Sequence, residues 1–493
     1  MNFRSTRGGA AVSASQAIVK GLAPDGGLYV PESFPEIGSI ENLLPLSYKE
    51  RAKYVLSKYL TDFTAEEVEN CVENAYTAEK FGSEEIAPLK KLTDKAFVLE
   101  LWHGPTCAFK DMALQILPHL LTVSMRKCGI QDEVCILVAT SGDTGKAALE
   151  GFKDVPGTRV LVFFPRDGVS NIQKKQMVTQ EGKNVGVMAV EGNFDDAQNG
   201  VKSIFTDEAY GAFLKENGIA LSSANSINWG RLVPQIVYYV SAYLDLVKSG
   251  ELGEGETFNV VVPTGNFGNI LAAYYAKKMG VPIHKLVCAS NANDVLTEFI
   301  CTGVYNRKRN FHLTISPSMD ILISSNLERF LYDLADKDAE KISDWMRDLK
   351  ENGEYWIEDD LLEKMQEILY AGSCDDAETK ETIKNIFDKH GYLADTHTAV
   401  ALKVYENYVE KTGDTRKTVI ASTANPYKFG QSVLDALGET ANLDDFAILS
   451  ALYEKSGLPI PEALSSLRDK APRFEKACAP DKMRDAVKEL LSL

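Results

Sequence analysis

Short apolar runs alternate with amphipathic segments along most of the chain. Each of six runs is bounded by turn residues and has the length of a buried strand. These runs span residues 134–139, 160–164, 185–190, 258–262, 286–290 and 418–422. Helical segments such as 234–247 separate them. Because strands that alternate with helices form parallel βαβ units, the pattern predicts an α/β protein with parallel sheets.

Two regions depart from this alternation. Residues 1–92 mix turns with amphipathic helices such as 48–60, and we predict a separate N-terminal α/β domain there. The larger region, 93–493, is predicted to hold the parallel-sheet subdomains. Within it, 326–388 is charged and helix-rich, which favours an outer helical layer or an insertion.

Composition and charge narrow the choice of partner and compartment. Lys and Arg number 53 against 70 Asp and Glu, and the net charge of −17 disfavours nucleic acid or an anionic membrane as a partner. The eight cysteines are scattered without C-x-x-C spacing, which indicates free thiols, and we predict no metal site. No apolar run approaches the roughly 20 residues of a membrane span, and no apolar signal segment opens the chain. We therefore expect a cytoplasmic protein.

The first candidate for chemistry is Lys110, in the segment HGPTCAFKD at residues 103–111. It follows a turn of small residues, and the apolar run 112–117 comes after it. Burial in such a setting lowers the pKa of a lysine and favours the neutral amine, the form that attacks an aldehyde. The alternative is a helix lysine that keeps its ammonium group in solvent.

A second candidate is the loop PTGNFGN at residues 263–269, between a β-branched run and a helical segment. Its two glycines permit positive φ and close backbone approach, so several N–H groups can converge on an anion at the helix N-terminus. The loop is not the dinucleotide fingerprint, because the third glycine of G-x-G-x-x-G is missing. It predicts a phosphate site, although a strand-to-helix turn alone can show the same pattern.

A third candidate is the hydroxyl-rich loop at residues 140–146, TSGDTGK, which again joins a strand to a helix. It is not a phosphate-binding Walker A loop, because Thr140 stands where that pattern needs Gly and Ala147 where it needs Ser or Thr. Hydroxyls and N–H groups at a helix N-terminus suit a carboxylate or phosphate, and simple helix capping is the alternative. Asp143 would repel a bound carboxylate unless it is protonated or faces elsewhere.

These loops follow the strands that end at 139 and 262, and the segment STANP at 422–426 follows a third strand. Ligands of parallel sheets gather at the carboxyl ends of strands, so the loops are expected to lie together. Together they predict a lysine for an aldehyde, a cradle for a phosphate and a site for a substrate carboxylate.

The four motifs HGPTCAFKD, ATSGDTG, PTGNFGN and STANP, with the opening segments STRG at 5–8 and GLAPDGGLYVP at 21–31, resemble the threonine synthase family. The resemblance covers nearly the whole chain. It is to the longer form of many bacteria and fungi, and it implies a pyridoxal-phosphate enzyme of fold type II, the tryptophan synthase β-like family.

The resemblance also implies the chemistry and its residues. The reaction would convert O-phosphohomoserine and water to threonine and phosphate, with Lys110 holding pyridoxal 5'-phosphate and then moving protons as base and acid. Thr423 would hydrogen-bond the ring nitrogen of the cofactor. The residues expected at the cofactor phosphate are Gly265, Asn266, Phe267, Gly268 and Asn269. Those expected around the substrate are Thr140, Ser141, Asp143, Thr144, Lys146, Asn228 and Arg231.

Arg231 is the favoured ligand of the substrate phosphate, because a guanidinium can bind phosphate as a fork and because NSINWGR at 225–231 belongs to the resemblance. Three alternatives stay open. One is another reaction on the same scaffold, such as serine dehydration or cysteine synthesis. Another is a phospholyase that omits the water addition. The third is a nucleotide-binding regulatory or structural α/β protein. The sequence is compatible with a monomer or a small homo-oligomer.

Overall fold

Two parallel sheets form the centre of the molecule in a computed structural model that describes residues 1–140, 142–166, 169–439 and 443–493. The strands of the described chain are β1 (Phe3–Ser5), β2 (Gly8–Val12), β3 (Tyr29–Pro31), β4 (Leu89–Lys91), β5 (Ala96–Glu100), β6 (Glu133–Ala139), β7 (Thr158–Pro165), β8 (Val185–Val190), β9 (Ile219–Ser222), β10 (Phe258–Pro263), β11 (Ile283–Ser290), β12 (Val304–Asn306), β13 (Glu354–Trp356), β14 (Leu369–Ser373), β15 (Thr418–Ser422) and β16 (Ala477–Cys478).

The α-helices are α1 (Ala14–Lys20), α2 (Tyr48–Tyr59), α3 (Ala65–Ala75), α4 (Ala78–Phe81), α5 (Asp111–Leu114), α6 (Leu117–Lys127), α7 (Asp143–Phe152), α8 (Asn171–Val178), α9 (Phe194–Thr206), α10 (Glu208–Glu216), α11 (Trp229–Lys248), α12 (Gly268–Lys278), α13 (Val295–Thr302), α14 (Leu327–Leu334), α15 (Ala339–Glu351), α16 (Asp359–Ile368), α17 (Asp376–His390), α18 (Thr396–Thr412), α19 (Gly430–Ala436), α20 (Asp445–Ser456), α21 (Glu462–Ser465) and α22 (Met483–Leu491). Short 3₁₀ turns lie at Pro317–Met319, Pro426–Phe429, Ser466–Asp469 and Pro480–Lys482.

The larger sheet has the strand order β14-β11-β10-β15-β5-β4 and is parallel except for β4, which pairs antiparallel with β5. The second sheet, β16-β8-β7-β6-β9, is parallel throughout. All six predicted strands are present, as β6, β7, β8, β10, β11 and β15, and the predicted helix 234–247 lies within α11. The α/β fold class is therefore confirmed.

The segment 326–388 is helix-rich as predicted, but it is more than an outer layer. Its strand β14 pairs with β11 and forms the edge of the larger sheet. The sequence of β14 is LYAGS, whose small residues do not stand out as an apolar run. The start of this segment also reaches the glycine loop, because both the backbone N–H and the side-chain amide of Asn326 donate to the carbonyl of Asn266, at 3.1 and 3.0 Å.

The N-terminal residues form a small antiparallel sheet, β2-β1-β3, together with helices α1 to α4. Strand β4 also lies within residues 1–92, yet it belongs to the larger sheet, so the domain boundary near 92 stays a prediction. The N-terminal region packs on the first turn of α11, where the buried ring of Trp229 lies 4.9 Å from that of Phe3 and 5.5 Å from that of Tyr59. This packing fixes the end of α11 that carries Arg231.

No helix in the described ranges is both long and apolar enough to cross a membrane. All eight cysteines are free thiols.

Candidate active site

Lys110 is held by a tight turn at the start of α5. The carboxylate of Asp111 accepts hydrogen bonds from the backbone N–H of Thr106 at 2.8 Å and from its hydroxyl at 2.7 Å. The N–H of Phe109 donates to the carbonyl of Thr423 at 2.8 Å. Lys110 is therefore fixed directly beside the end of β15.

The amine of Lys110 points into a buried cluster of polar groups. Its Nζ donates to the hydroxyl of Ser318 at 3.4 Å and lies 3.6 Å from Oδ2 of Asp143. Burial lowers the pKa of Lys110 below its ordinary value. Asp143 opposes this effect, whereas the charges of Lys428 and Arg231 add to it. The site therefore favours a neutral, nucleophilic amine.

Asp143 is engaged by a second lysine. Its Oδ1 lies 2.5 Å from Nζ of Lys428 and accepts from the side-chain amide of Gln173 at 2.9 Å. Burial raises the pKa of the Asp143 carboxyl, but Lys428 and Lys110 more than offset it, and the net pKa lies well below the usual range. Asp143 is thus ionised and faces lysines, which resolves the conflict expected between this carboxylate and that of a substrate.

The glycine loop forms a cradle of unused donors. The N–H groups of residues 265–269 donate to no backbone or side-chain acceptor in the described parts of the chain, and they lie at the N-terminus of α12. The sequence predicted positive φ at the glycines, but Phe267 adopts it, with φ of 62°, and its ring packs on Phe330. Gly265 is needed for a different reason, since a Cβ there would lie 2.8 Å from the carbonyl oxygen of Ser318.

Two side chains also fit the cofactor expected from the sequence. The side-chain nitrogen of Asn269 is buried and has no partner among the described residues, while its oxygen accepts from Tyr238 and Tyr239 at 2.7 and 2.6 Å. The Thr423 hydroxyl makes no hydrogen bond within the described ranges, although its residue is 5% exposed. A phosphate at the cradle and a ring nitrogen at Thr423 would satisfy these donors. The residues present therefore fit pyridoxal phosphate.

The start of α7 offers a second set of donors. The Thr140 hydroxyl accepts from the N–H groups of Gly142 and Gly145, both at 3.0 Å, and so shapes the turn. The N–H groups of Asp143 and Thr144 have no acceptor in the part of the chain described. These two N–H groups at a helix N-terminus suit a carboxylate. The predicted residue Ser141 lies outside the described residues.

The other predicted substrate residues occupy three different settings. Arg231 is 3% exposed; its Nη1 donates to the carbonyl of Ala224 at 2.5 Å, while its Nε is buried without a partner in the described chain. Burial lowers its pKa to about 10. Asn228 caps α11, accepting from Gly230 N–H at 2.8 Å and donating to the carbonyl of Ile18 at 2.9 Å. Lys146 pairs with Glu150 at 2.9 Å and also donates to the side-chain oxygen of Gln180.

Sequence reasoning missed the partners that complete the cluster. Lys428 had a usable signal, because it lies between the aromatic residues Tyr427 and Phe429 just after STANP, much as Lys110 follows Phe109. Ser318 and Gln173 had none, since they reach the cluster from other elements, Ser318 from the 3₁₀ turn Pro317–Met319 and Gln173 from α8. Ser318 is itself held by His397, whose Nε2 accepts from its N–H at 3.1 Å.

Comparison with known proteins defines the class. A family model described as a pyridoxal-phosphate dependent enzyme matches residues 83–423, which include Lys110, the glycine loop and Thr423. Two further models flank it: the threonine synthase N terminus matches residues 2–76, and the threonine synthase C-terminal model matches residues 398–490. The fold is therefore that of the pyridoxal-phosphate-dependent enzymes.

Individual relatives narrow the class. Threonine synthase from Pseudomonas aeruginosa is 38% identical over 92% of this chain and 94% of its own. The crystal structure of pyridoxal-phosphate-bound threonine synthase from Brucella melitensis superimposes with a TM-score of 0.88 at 36% identity, covering 99% of both chains. The chain belongs to the threonine synthase family. Human threonine synthase-like 1 is 42% identical over 95% of this chain, which spans 64% of that longer relative.

Proposed function

We propose that this protein is a threonine synthase that converts O-phospho-L-homoserine and water to L-threonine and phosphate, the last step of threonine biosynthesis. The observation that carries the proposal is Arg231, a buried guanidinium that pairs with no carboxylate in the described chain. An unpaired buried charge is costly, and it is retained where a ligand supplies the opposite charge. A γ-phosphate is such a ligand.

The charge balance of the site supports an anionic substrate. Two cations, Lys428 and Arg231, lie near Lys110, and Lys428 is paired with the carboxylate of Asp143. Burial raises the pKa of Asp111 to about 6, against the hydrogen bonds from Thr106, so part of its charge is lost near neutral pH. Because Lys428 is matched by Asp143, Arg231 is the cation without a carboxylate partner in the described chain, and its field favours a substrate that carries a phosphate.

Each group can be given a role from its position. Lys110 binds the cofactor and afterwards exchanges protons with the substrate Cα and Cβ through Nζ. The N–H groups of Asp143 and Thr144 orient the substrate carboxylate. The guanidinium of Arg231 holds the γ-phosphate and stabilises its charge as it leaves, before water adds at Cβ. The bound cofactor supplies the sink for the electrons left at Cα.

The cofactor phosphate is assigned to the N–H groups of residues 265–269 and the side-chain amide of Asn269, and the ring nitrogen to the Thr423 hydroxyl. The Thr140 hydroxyl is given a place beside the substrate, because it can still donate its own hydrogen. Ser141 keeps its place on the strength of the family motif alone. For Lys146 and Asn228 we propose structural roles, because their polar atoms are engaged by Glu150, Gly230 and Ile18.

We further propose that the enzyme works in the cytoplasm as a monomer or a small homo-oligomer, without nucleic acid. Its net charge of −17 and its eight free thiols support this placement.

The test is product analysis of the protein loaded with pyridoxal phosphate and given O-phosphohomoserine. Threonine and phosphate in equal amounts are expected, and the Lys110→Ala variant should form neither above the level without enzyme. Phosphate with a keto acid and ammonia would instead identify a phospholyase, and no phosphate release would refute the substrate. Serine given in place of O-phosphohomoserine tests the other reactions of the scaffold.

A further inference from the structure

The mechanism above does not use Lys428, a buried cation beside Asp143. Lys428 lies in the 3₁₀ turn Pro426–Phe429 that follows β15, and its side chain is fully buried. Its Nζ lies 2.5 Å from Oδ1 of Asp143 and donates to the carbonyl of Thr106 at 2.9 Å. A lysine without solvent contact is uncommon unless it is paired, and the charge of Lys428 is paired with Asp143 inside the site.

The two contacts of Lys428 join three of the segments that build the site. Thr106 belongs to the turn that carries Lys110, Asp143 opens α7, and the turn of Lys428 follows Thr423 directly. Lys428 therefore fixes the distance between the carboxylate of Asp143 and the amine of Lys110. It also occupies the oxygen of Asp143 that does not face Lys110.

We propose that Lys428 is a positioning residue: it shares the Asp143 carboxylate with Lys110, and so keeps the Lys110 amine neutral enough to attach the cofactor. If Lys428 were absent, Asp143 would be left to pair with Lys110 alone and would hold it as an ammonium ion. The attachment step joins the amine nitrogen to the aldehyde carbon and releases water, and it requires the unprotonated amine.

The charges around Lys110 agree with this role. Asp143 faces it from α7, Lys428 from the turn after β15 and Arg231 from α11. Asp111 is its neighbour in the chain and is bound by Thr106. The loop that carries Ser318 brings a neutral hydroxyl, with His397 behind it. Burial lowers the pKa of Lys110, and Lys428 lowers it further against the opposing effect of Asp143.

The inference rests on the proposed cofactor-binding role of Lys110, and its test needs no substrate. The full-length protein is freed of cofactor by dialysis, and pyridoxal phosphate is added from pH 5.5 to pH 10. The rate of covalent attachment is followed by visible absorbance. The midpoint is the pH at which the attachment rate reaches half of its plateau value. The titrations of free pyridoxal phosphate are common to all variants, so differences in this midpoint between variants report on Lys110. A protein that makes no threonine can still pass this test.

Three variants give different expected shifts. Lys428→Met should raise the midpoint by about one pH unit, which means about tenfold slower attachment below both midpoints. Asp143→Asn should lower the midpoint, because the carboxylate that favours the ammonium form is gone while Lys428 remains. The double variant loses one charge of each sign, and its midpoint should fall between those of the single variants.

The matched control is Arg51→Met, which removes another buried cation from its pair with Asp245, 2.6 Å away. Asp245 lies fourteen residues beyond Arg231 on α11, or roughly 20 Å along the helix, so the midpoint should not move. A Lys428→Met protein that is folded by near-ultraviolet circular dichroism but keeps the wild-type midpoint would overturn the proposal. If that variant does not fold, Asp143→Asn decides, since an upward or absent shift would refute the shared carboxylate.

Discussion

The two anion sites that we propose are built from different kinds of donor. The cradle at residues 265–269 presents backbone N–H groups at the start of α12 and carries no formal charge. The cluster around Lys110 uses charged side chains, and most of its charge is compensated internally, as in the contact between Lys428 and Asp143. Arg231 is the exception, because it has no carboxylate partner in the described chain.

The difference follows from what each site has to do. Backbone donors are fixed by the fold, and they hold a bound phosphate in one place without a counterion when the site is empty. Charged side chains bind more strongly but must be neutralised when buried, which is the part played by Asp143. A cofactor that stays bound suits the first kind of site. A phosphate that arrives and leaves in every turnover suits the second.

The largest effect that would sharpen this comparison is expected from Arg231→Met. Losing two charge-assisted hydrogen bonds to a phosphate costs about 3–5 kcal/mol, so kcat/KM for O-phosphohomoserine should fall roughly 10²- to 10⁴-fold. The affinity for pyridoxal phosphate should hardly change. Because a buried, unpaired charge is removed, the free energy of unfolding should stay the same or increase. Steady-state kinetics and urea denaturation measure the two effects.

Arg231→Lys is the matched comparison, since it keeps the charge and removes the fork. It should recover part of the lost kcat/KM. If Arg231→Met lost stability while its KM stayed at the wild-type value, Arg231 would be a structural cation and the contrast with Lys428 would disappear.

A smaller effect is expected in the cradle from Gly265→Ala. The added Cβ would lie 2.8 Å from the carbonyl oxygen of Ser318. This clash is with backbone, which cannot move aside as easily as a side chain can. If the loop shifts to relieve the clash, returning it to the conformation that binds the cofactor costs about 1–3 kcal/mol. This predicts an affinity for pyridoxal phosphate about 5- to 150-fold weaker. Fluorescence titration of the cofactor-free protein measures it.

Gly268→Ala distinguishes a clash of the added methyl group with the protein from a clash with the bound phosphate. A Cβ there would lie 3.5 Å from the side-chain nitrogen of Asn326 and 4.0 Å from that of Gln235, which are ordinary contacts. It should therefore weaken cofactor binding less than Gly265→Ala does. Equal losses at both positions would mean that the phosphate, and not Ser318, sets the limit on loop width.

The same contrast explains what the sequence could predict. The cradle is contiguous in the chain, so a β-branched run followed by PTGNFGN was enough to locate it. The backbone conformation of the loop was not predicted. Phe267, whose ring packs on Phe330, adopts the positive φ, and the two glycines of the loop do not. The predicted strands were also contiguous apolar runs. The sequence LYAGS of β14 does not form such a run, and this strand was not predicted.

Only part of the charged cluster around Lys110 could be predicted from the sequence. Lys110 and Asp143 lie in recognisable motifs, but their partners come from distant segments, with Ser318 lying 208 residues from Lys110. A single sequence carries no information on which distant side chains meet. It also cannot distinguish a polar residue that faces a ligand from one that caps a helix, as Asn228 caps α11.

The smallest expected effect is that of Asn228→Ser. Asn228 was predicted to bind substrate, but its oxygen caps α11 and its nitrogen donates to the carbonyl of Ile18. Serine retains a capping oxygen and loses the donor, so the free energy of unfolding should fall by about 1 kcal/mol. KM for O-phosphohomoserine should stay within about twofold of the wild-type value, because Arg231 and its backbone are untouched. A tenfold rise in KM with stability unchanged would instead return Asn228 to the substrate site, and the substrate phosphate would then be bound by a neutral amide as well as by charge.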